Sequence, residues 1–156
     1  MFKIIRIQNG WFEFSLEKDE NLCIFSCTNI GGYDIAQDIL KTSNRMIQAN
    51  LEKRDFYLNC ETNIYLMTFT NANMNIHIEI REILDCPFLF LGARRPTSSN
   101  IKCGDKIFDT NVRLVDFVHD VWSEFNKIDI SDYSSNWFDY PSNEIKKLND
   151  YIKYRE

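Results

Sequence analysis

The residues best equipped for chemistry in this chain are carboxylates, and they are unevenly placed. Residues 105–140 hold eight acids (Asp105, Asp109, Asp116, Asp120, Glu124, Asp129, Asp132, Asp139) against three bases (Lys106, Arg113, Lys127). That local excess equals the net charge of the whole chain, −5. The same stretch carries Trp122, Tyr133, Trp137 and Tyr140. Acids interleaved with large aromatics suit a surface that receives a basic protein partner. The field steers the encounter and a ring supplies contact area.

Within the segment, Asp116, Asp120 and Glu124 recur every four residues, so a helix would align them on one exposed face. None has a Lys or Arg four residues further on, so the sequence predicts like charges repelling along that face. The expected partner-binding surface is therefore Asp116, Asp120 and Glu124, extended by Asp129, Asp132 and Asp139, with Tyr133 as an exposed aromatic anchor. Each acid taken singly also fits the wet side of an amphipathic helix. Trp137, Phe138 and Tyr140 fit either an interface or the clamping of a terminal helix onto the core.

Other reactive residue types form no recognisable set. The histidines are His77 and His119, and neither has a second ligand at metal spacing along the sequence. Five cysteines (Cys23, Cys27, Cys60, Cys86, Cys103) are an odd number without compact spacing, which argues against a disulfide framework. Free Cys in a reducing compartment behaves as a small buried hydrophobe. Gly31-Gly32-Tyr33-Asp34 precedes a helix but lacks the glycine pattern and lysine of a phosphate loop, so Asp34 reads as an early-turn acid at a helix N-terminus. Arg94-Arg95 with Lys102 reads as a solvated loop charge. No nucleophile, base and orienting acid are marked out, so the sequence predicts a non-enzyme without metal or cofactor. An acidic chain with no basic stripe is a poor direct ligand for nucleic acid. No stretch has the length of a membrane span or the pattern of a signal peptide. These readings predict a cytosolic binder.

The positioning elements follow from periodicity. Strands are expected at 2–7, 11–16 and 22–27, the first pair joined by the Asn9-Gly10 turn. A long helix is expected at about 33–53, from Ile35, Ile39, Leu40, Met46, Ile47 and Leu51, with a soft middle at Ser43-Asn44. Further strands are expected at 56–60, 64–70 and 74–80. The last should send Met74, Ile76, Ile78 and Ile80 inward and His77, Glu79 and Arg81 to water. Residues 85–92 fit either a buried strand or a packed loop, and 93–105 read as loop. A helix is expected from about 110 to 127, an irregular aromatic stretch over 131–140, and a last helix after Pro141. The fold class is thus α+β: one domain over 1–156 with a mainly antiparallel sheet of five to six strands. One long helix packs on the sheet and two helices lie toward the C-terminus.

This order resembles the immunity proteins of bacterial contact-dependent growth inhibition and related polymorphic toxin systems. The local features carrying the resemblance are Gly-Gly-Tyr-Asp (31–34) before the long helix, the alternating strand 75–80, Asp116-Phe117 on a helix, and Asn136-Trp137-Phe138-Asp139-Tyr140-Pro141 before a terminal helix. The resemblance implies a small cytosolic protein that binds and blocks a cognate toxin domain, often a basic nuclease. It carries over no site residue. The other reading is a small-molecule-binding or adaptor module without catalysis.

Overall fold

The computed structural model describes residues 1–48, 51–61, 63–85 and 101–154. In chain order the elements are β1 (Phe2–Gln8), β2 (Trp11–Lys18), β3 (Asn21–Thr28), α1 (Ile35–Ile47), β4 (Lys53–Asn59), β5 (Ile64–Ala72), β6 (Asn75–Asp85), β7 (Lys102–Arg113), α2 (Leu114–Asn126), α3 (Ile130–Asn136) and α4 (Ser142–Lys153). The α+β class is as expected, but the sheet is not single. Two antiparallel sheets form, β1-β2-β3 and β4-β5-β6-β7. No helix among the described residues is long and apolar enough to cross a membrane.

Turn chemistry closes the first sheet. Asn9 and Gly10 have φ of 51° and 80°, the left-handed pair a two-residue hairpin needs. A Cβ at residue 10 would also lie 2.7 Å from the Asn29 side-chain oxygen, so glycine is required twice over. After β3 the chain turns through Gly31-Gly32 into α1, and β3 makes no ladder with β4. That break divides one expected sheet into two.

Phe117 of α2 bridges the divide. Its ring meets Phe2 of the first sheet at 6.2 Å and Phe69 of the second at 5.2 Å, both edge-on. One apolar core draws on both sheets and all four helices, with Phe12, Phe14, Phe56, Phe69, Phe117 and Phe125 essentially inaccessible. Each such ring contributes about 1.5–3 kcal/mol of burial free energy.

Helix α1 begins at the Asp34 cap and stops at Ile47, short of the expected 53, because Lys53 already enters β4. Ser43-Asn44 does not soften it. Ser43 Oγ donates to the Ile39 carbonyl at 2.9 Å, and Asn44 Nδ2 donates to the Glu144 carbonyl and carboxylate at 3.0 and 2.8 Å. The two Asn44 bonds stitch α1 to the first turn of α4.

Strand β7 takes up residues 102–105 at the end of the expected loop and 110–113 at the start of the expected helix. It is an edge strand with three register irregularities, so only Phe108 and Val112 are buried along it and its alternation is weak. Helix α2 accordingly starts at Leu114 rather than 110. Ile76, Ile78 and Ile80 point inward as expected, whereas Met74 is exposed in the preceding turn with φ of 64°. The stretch read as irregular contains α3. The apolar run 88–91, the tip at 96–100, Arg94-Arg95 and Cys86 lie outside the described residues.

Candidate functional site

The predicted acidic face exists, but its acids are paired. Arg113 grips Asp116 with Nε and Nη2 at 2.7 and 2.8 Å. The amino group of Met1 lies 3.0 Å from Asp120. Glu124 is mostly buried, forms an ion pair with Lys127, and accepts the Ile4 backbone N–H at 3.0 Å. The expectation of uncompensated repulsion is corrected. The cations come from three residues away on the same stretch of chain and from the start of β1, which a spacing-of-four rule does not see.

Tyr133 is also corrected. It is 0 % exposed and packs edge-on against Tyr140 at 5.3 Å and beside Phe125 at 6.3 Å. Its hydroxyl is buried without a hydrogen-bond partner. Burial pushes that hydroxyl's pKa far above the tyrosine range, with the Asp34 charge adding to the effect. Spacing on a seven-residue helix placed the ring inward rather than toward water.

The neighbouring aromatics are structural as well. Trp137 is 7 % exposed and its indole donates to Asp34 at 2.9 Å. Tyr140 donates to the Phe125 carbonyl at 3.0 Å. Phe138 is half-buried and edge-on to Trp137.

Asp116 stays exposed beside Arg113, and a second exposed acidic stretch is α3 with the turn after it. Residues 128–143 contain Asp129, Asp132 and Asp139 and no Lys or Arg. All three aspartates are exposed, and Ile130 between the first two is 57 % exposed. Asp129 caps α3 by accepting the Asp132 N–H at 2.9 Å. The far end of α3 is fixed to the first hairpin, because the Asn136 carbonyl accepts from Gly10 N–H at 2.8 Å and its side-chain oxygen from Asn9 N–H at 3.0 Å. The helix is short yet held at both ends.

A groove of about 430 Å³ runs between β1 and the α2–α3 connection, lined in part by Ile5, Arg6, Glu124, Lys127, Asp129 and Asp132. It gathers three of the predicted acids. Lys3, Arg6 and Lys127 balance them, so the groove itself is charge-alternating, and of the acids in residues 128–143 only Asp139 lies outside its lining.

The second sheet carries a polar cluster on its water-facing side. His77 Nε2 lies 2.6 Å from Asp109 Oδ1, and Lys106 Nζ bridges Asp109 Oδ2 at 2.6 Å and Glu79 Oε2 at 3.0 Å. Arg81 Nε holds Glu79 Oε1 at 2.7 Å. Arg81 and then Lys106 lower the Glu79 pKa; Lys106 and then His77 lower that of Asp109. The expectation that neither histidine has a second potential ligand at metal spacing is corrected for His77, whose ring lies near the Glu79 and Asp109 carboxylates. The signal available in the sequence was the outward alternation of His77 and Glu79. Asp109 could be added only by knowing that β7 pairs with β6, where Glu79 faces Asp109.

Comparisons of the chain with protein-family models, with curated proteins and with solved structures found no match.

Proposed function

We propose that this chain is a non-catalytic binding protein that neutralises a basic protein partner, in the manner of the toxin-immunity proteins its element order resembles. The contact surface is α3 with the turn that follows it. The observation carrying the reading is Ile130, exposed between Asp129 and Asp132 in a stretch free of Lys and Arg. An exposed branched apolar residue inside an acidic rim matches the layout of a contact that buries an anchor and steers by charge. Asp116, Asp120 and Glu124 are positioning residues in this reading, held in ion pairs within the chain, that of Asp116 on the surface.

The test begins with the neighbouring gene, expected to encode a toxin domain, and co-expresses that domain with this chain. The variant is Ile130→Ser, Asp132→Asn, Asp139→Asn, which leaves the Asp129 cap in place. Its expected behaviour is an unchanged melting temperature, loss of protection, and association that is slower and less sensitive to salt. Full protection by the folded variant would place the surface elsewhere.

A further inference from the structure

We infer that the water-facing side of the second sheet is a divalent-cation site, with zinc the best-matched ion, held by His77, Glu79 and Asp109. This site is carried by β6 and β7, not by α3, and it does not depend on the binding function proposed above.

The geometry begins with strand pleating. His77 and Glu79 are two residues apart on β6, so both project to the same face. Asp109 on β7 sits directly opposite Glu79 and therefore shares that face. One ligand atom from each of the three lies within 4.8 Å of the others. An imidazole with two carboxylates is a nitrogen–oxygen donor set that suits zinc, and a fourth position stays open to water. Zinc bonds of about 2.0–2.2 Å require the three donors to close in, and rotation of partly exposed side chains supplies that movement.

The place between the carboxylates already attracts positive charge. The Lys106 ammonium touches Glu79 Oε2 and Asp109 Oδ2, the oxygens a metal would take. Arg81 occupies the other Glu79 oxygen and also donates to the Gly104 carbonyl at 3.3 Å. It thus orients Glu79 from behind, as outer partners of metal ligands do. A divalent ion matches the two carboxylate charges and releases Lys106 to solvent, where a lysine on a flexible stem is well hydrated. Lys106 is then a competitor for the site, and its removal separates a metal site from an ion-pair network that serves structure alone. Bound metal would fasten the edge strand β7 to β6 within the regular part of their ladder, before the register irregularities that begin after Ile80.

The experiment titrates metal-free full-length chain with zinc chloride by calorimetry and repeats the titration with cobalt chloride by absorption. Expected results are one ion per chain, abolished by His77→Ala and weakened by Asp109→Asn. Lys106→Met is expected to bind about tenfold or more tightly, the scale set by neighbours of metal ligands. Cobalt should give weak visible bands without the intense near-ultraviolet absorption of thiolate ligation. Circular dichroism checks that each variant is folded, and His77→Gln serves if His77→Ala is not. Unchanged affinity in folded His77→Ala or His77→Gln, no tightening in Lys106→Met, strong thiolate absorption, or no binding to millimolar zinc would each overturn the inference.

Discussion

The indole Nε1 of Trp137 donates to Asp34 Oδ1 at 2.9 Å, tying the chain after α3 to the N-terminus of α1. The same oxygen accepts the Gln37 N–H at 3.0 Å and caps the helix. Burial is the largest influence on Asp34 and raises its pKa above the ordinary carboxylate range; the bonds from Gln37 and Trp137 pull the other way without cancelling it. The folded state therefore holds the Asp34 proton more tightly than the unfolded state does. Its contribution is fully present below the ordinary carboxylate range and is lost as pH rises through the raised value. Asn at 34 accepts the same bonds and does not titrate. Urea melts from about pH 3.5 to 6.5 should show wild type losing stability relative to Asp34→Asn as pH rises. The opposite trend would mean that the hydrogen bonds outweigh burial.

Tyr133 separates structure from recognition. Its ring fills the core beneath α3 while its hydroxyl has no partner. Tyr133→Phe removes an unsatisfied polar atom and should leave stability unchanged or raise it by about 1 kcal/mol. Tyr133→Ala should cost about 3–5 kcal/mol through the cavity it leaves. Partner affinity should not distinguish Tyr133→Phe from wild type, and a calorimetric titration that finds a large loss would return the hydroxyl to the interface.

Much of this fold was legible from alternation. The strands around Phe12, Phe14, Ile64, Ile76 and Ile78 were placed because one face of each is apolar, and α4 because Ile145, Leu148 and Ile152 recur at helical spacing. Strand β7 was not legible, since an edge strand that buries mainly Phe108 and Val112 writes almost no period into its sequence. The split into two sheets was hidden for a related reason: alternation identifies a strand and not its neighbour. At the candidate surface, the exposure of Asp129, Asp132 and Asp139 followed from their charge alone. The burial of Tyr133, the pairing of Asp120 with the Met1 amino group and the bond from Ile4 to Glu124 were not, because they depend on the inward turn of a short helix or on contacts across more than a hundred residues.

Glu124 acts on the edge of β1. Its Oε2 accepts the Ile4 N–H, a strand donor that faces away from β2, and its other oxygen holds Lys127. Glu124→Ala leaves that partly buried donor unpaired and should cost about 1–3 kcal/mol. Glu124→Gln keeps an acceptor and should cost less. Amide hydrogen exchange at Ile4 reads the difference directly: it should quicken strongly in Glu124→Ala and only slightly in Glu124→Gln. Equal exchange in both would show that β1 is protected by packing alone.

Cys60 should be the most nucleophilic of the described cysteines. The neighbouring Cys27 thiol favours its thiolate, and the Ser26 backbone adds to this, so its pKa is lowered despite burial. Cys27 moves the opposite way, through that same pairing with Cys60 and then through burial. Burial alone raises Cys23, and it is the largest influence raising Cys103. The thiolate is the reactive form, so alkylation near neutral pH should modify Cys60 before Cys23 and Cys103. Peptide mass spectrometry after brief iodoacetamide treatment measures the order. Cys27→Ala supplies the control that separates charge from access. It removes the thiol that lowers the Cys60 pKa while opening space beside the sulfur. If thiolate population governs reactivity, Cys60 labels more slowly in the variant. If it labels faster, steric cover by Cys27 was the limiting factor and its effect on the Cys60 pKa is not what sets the order.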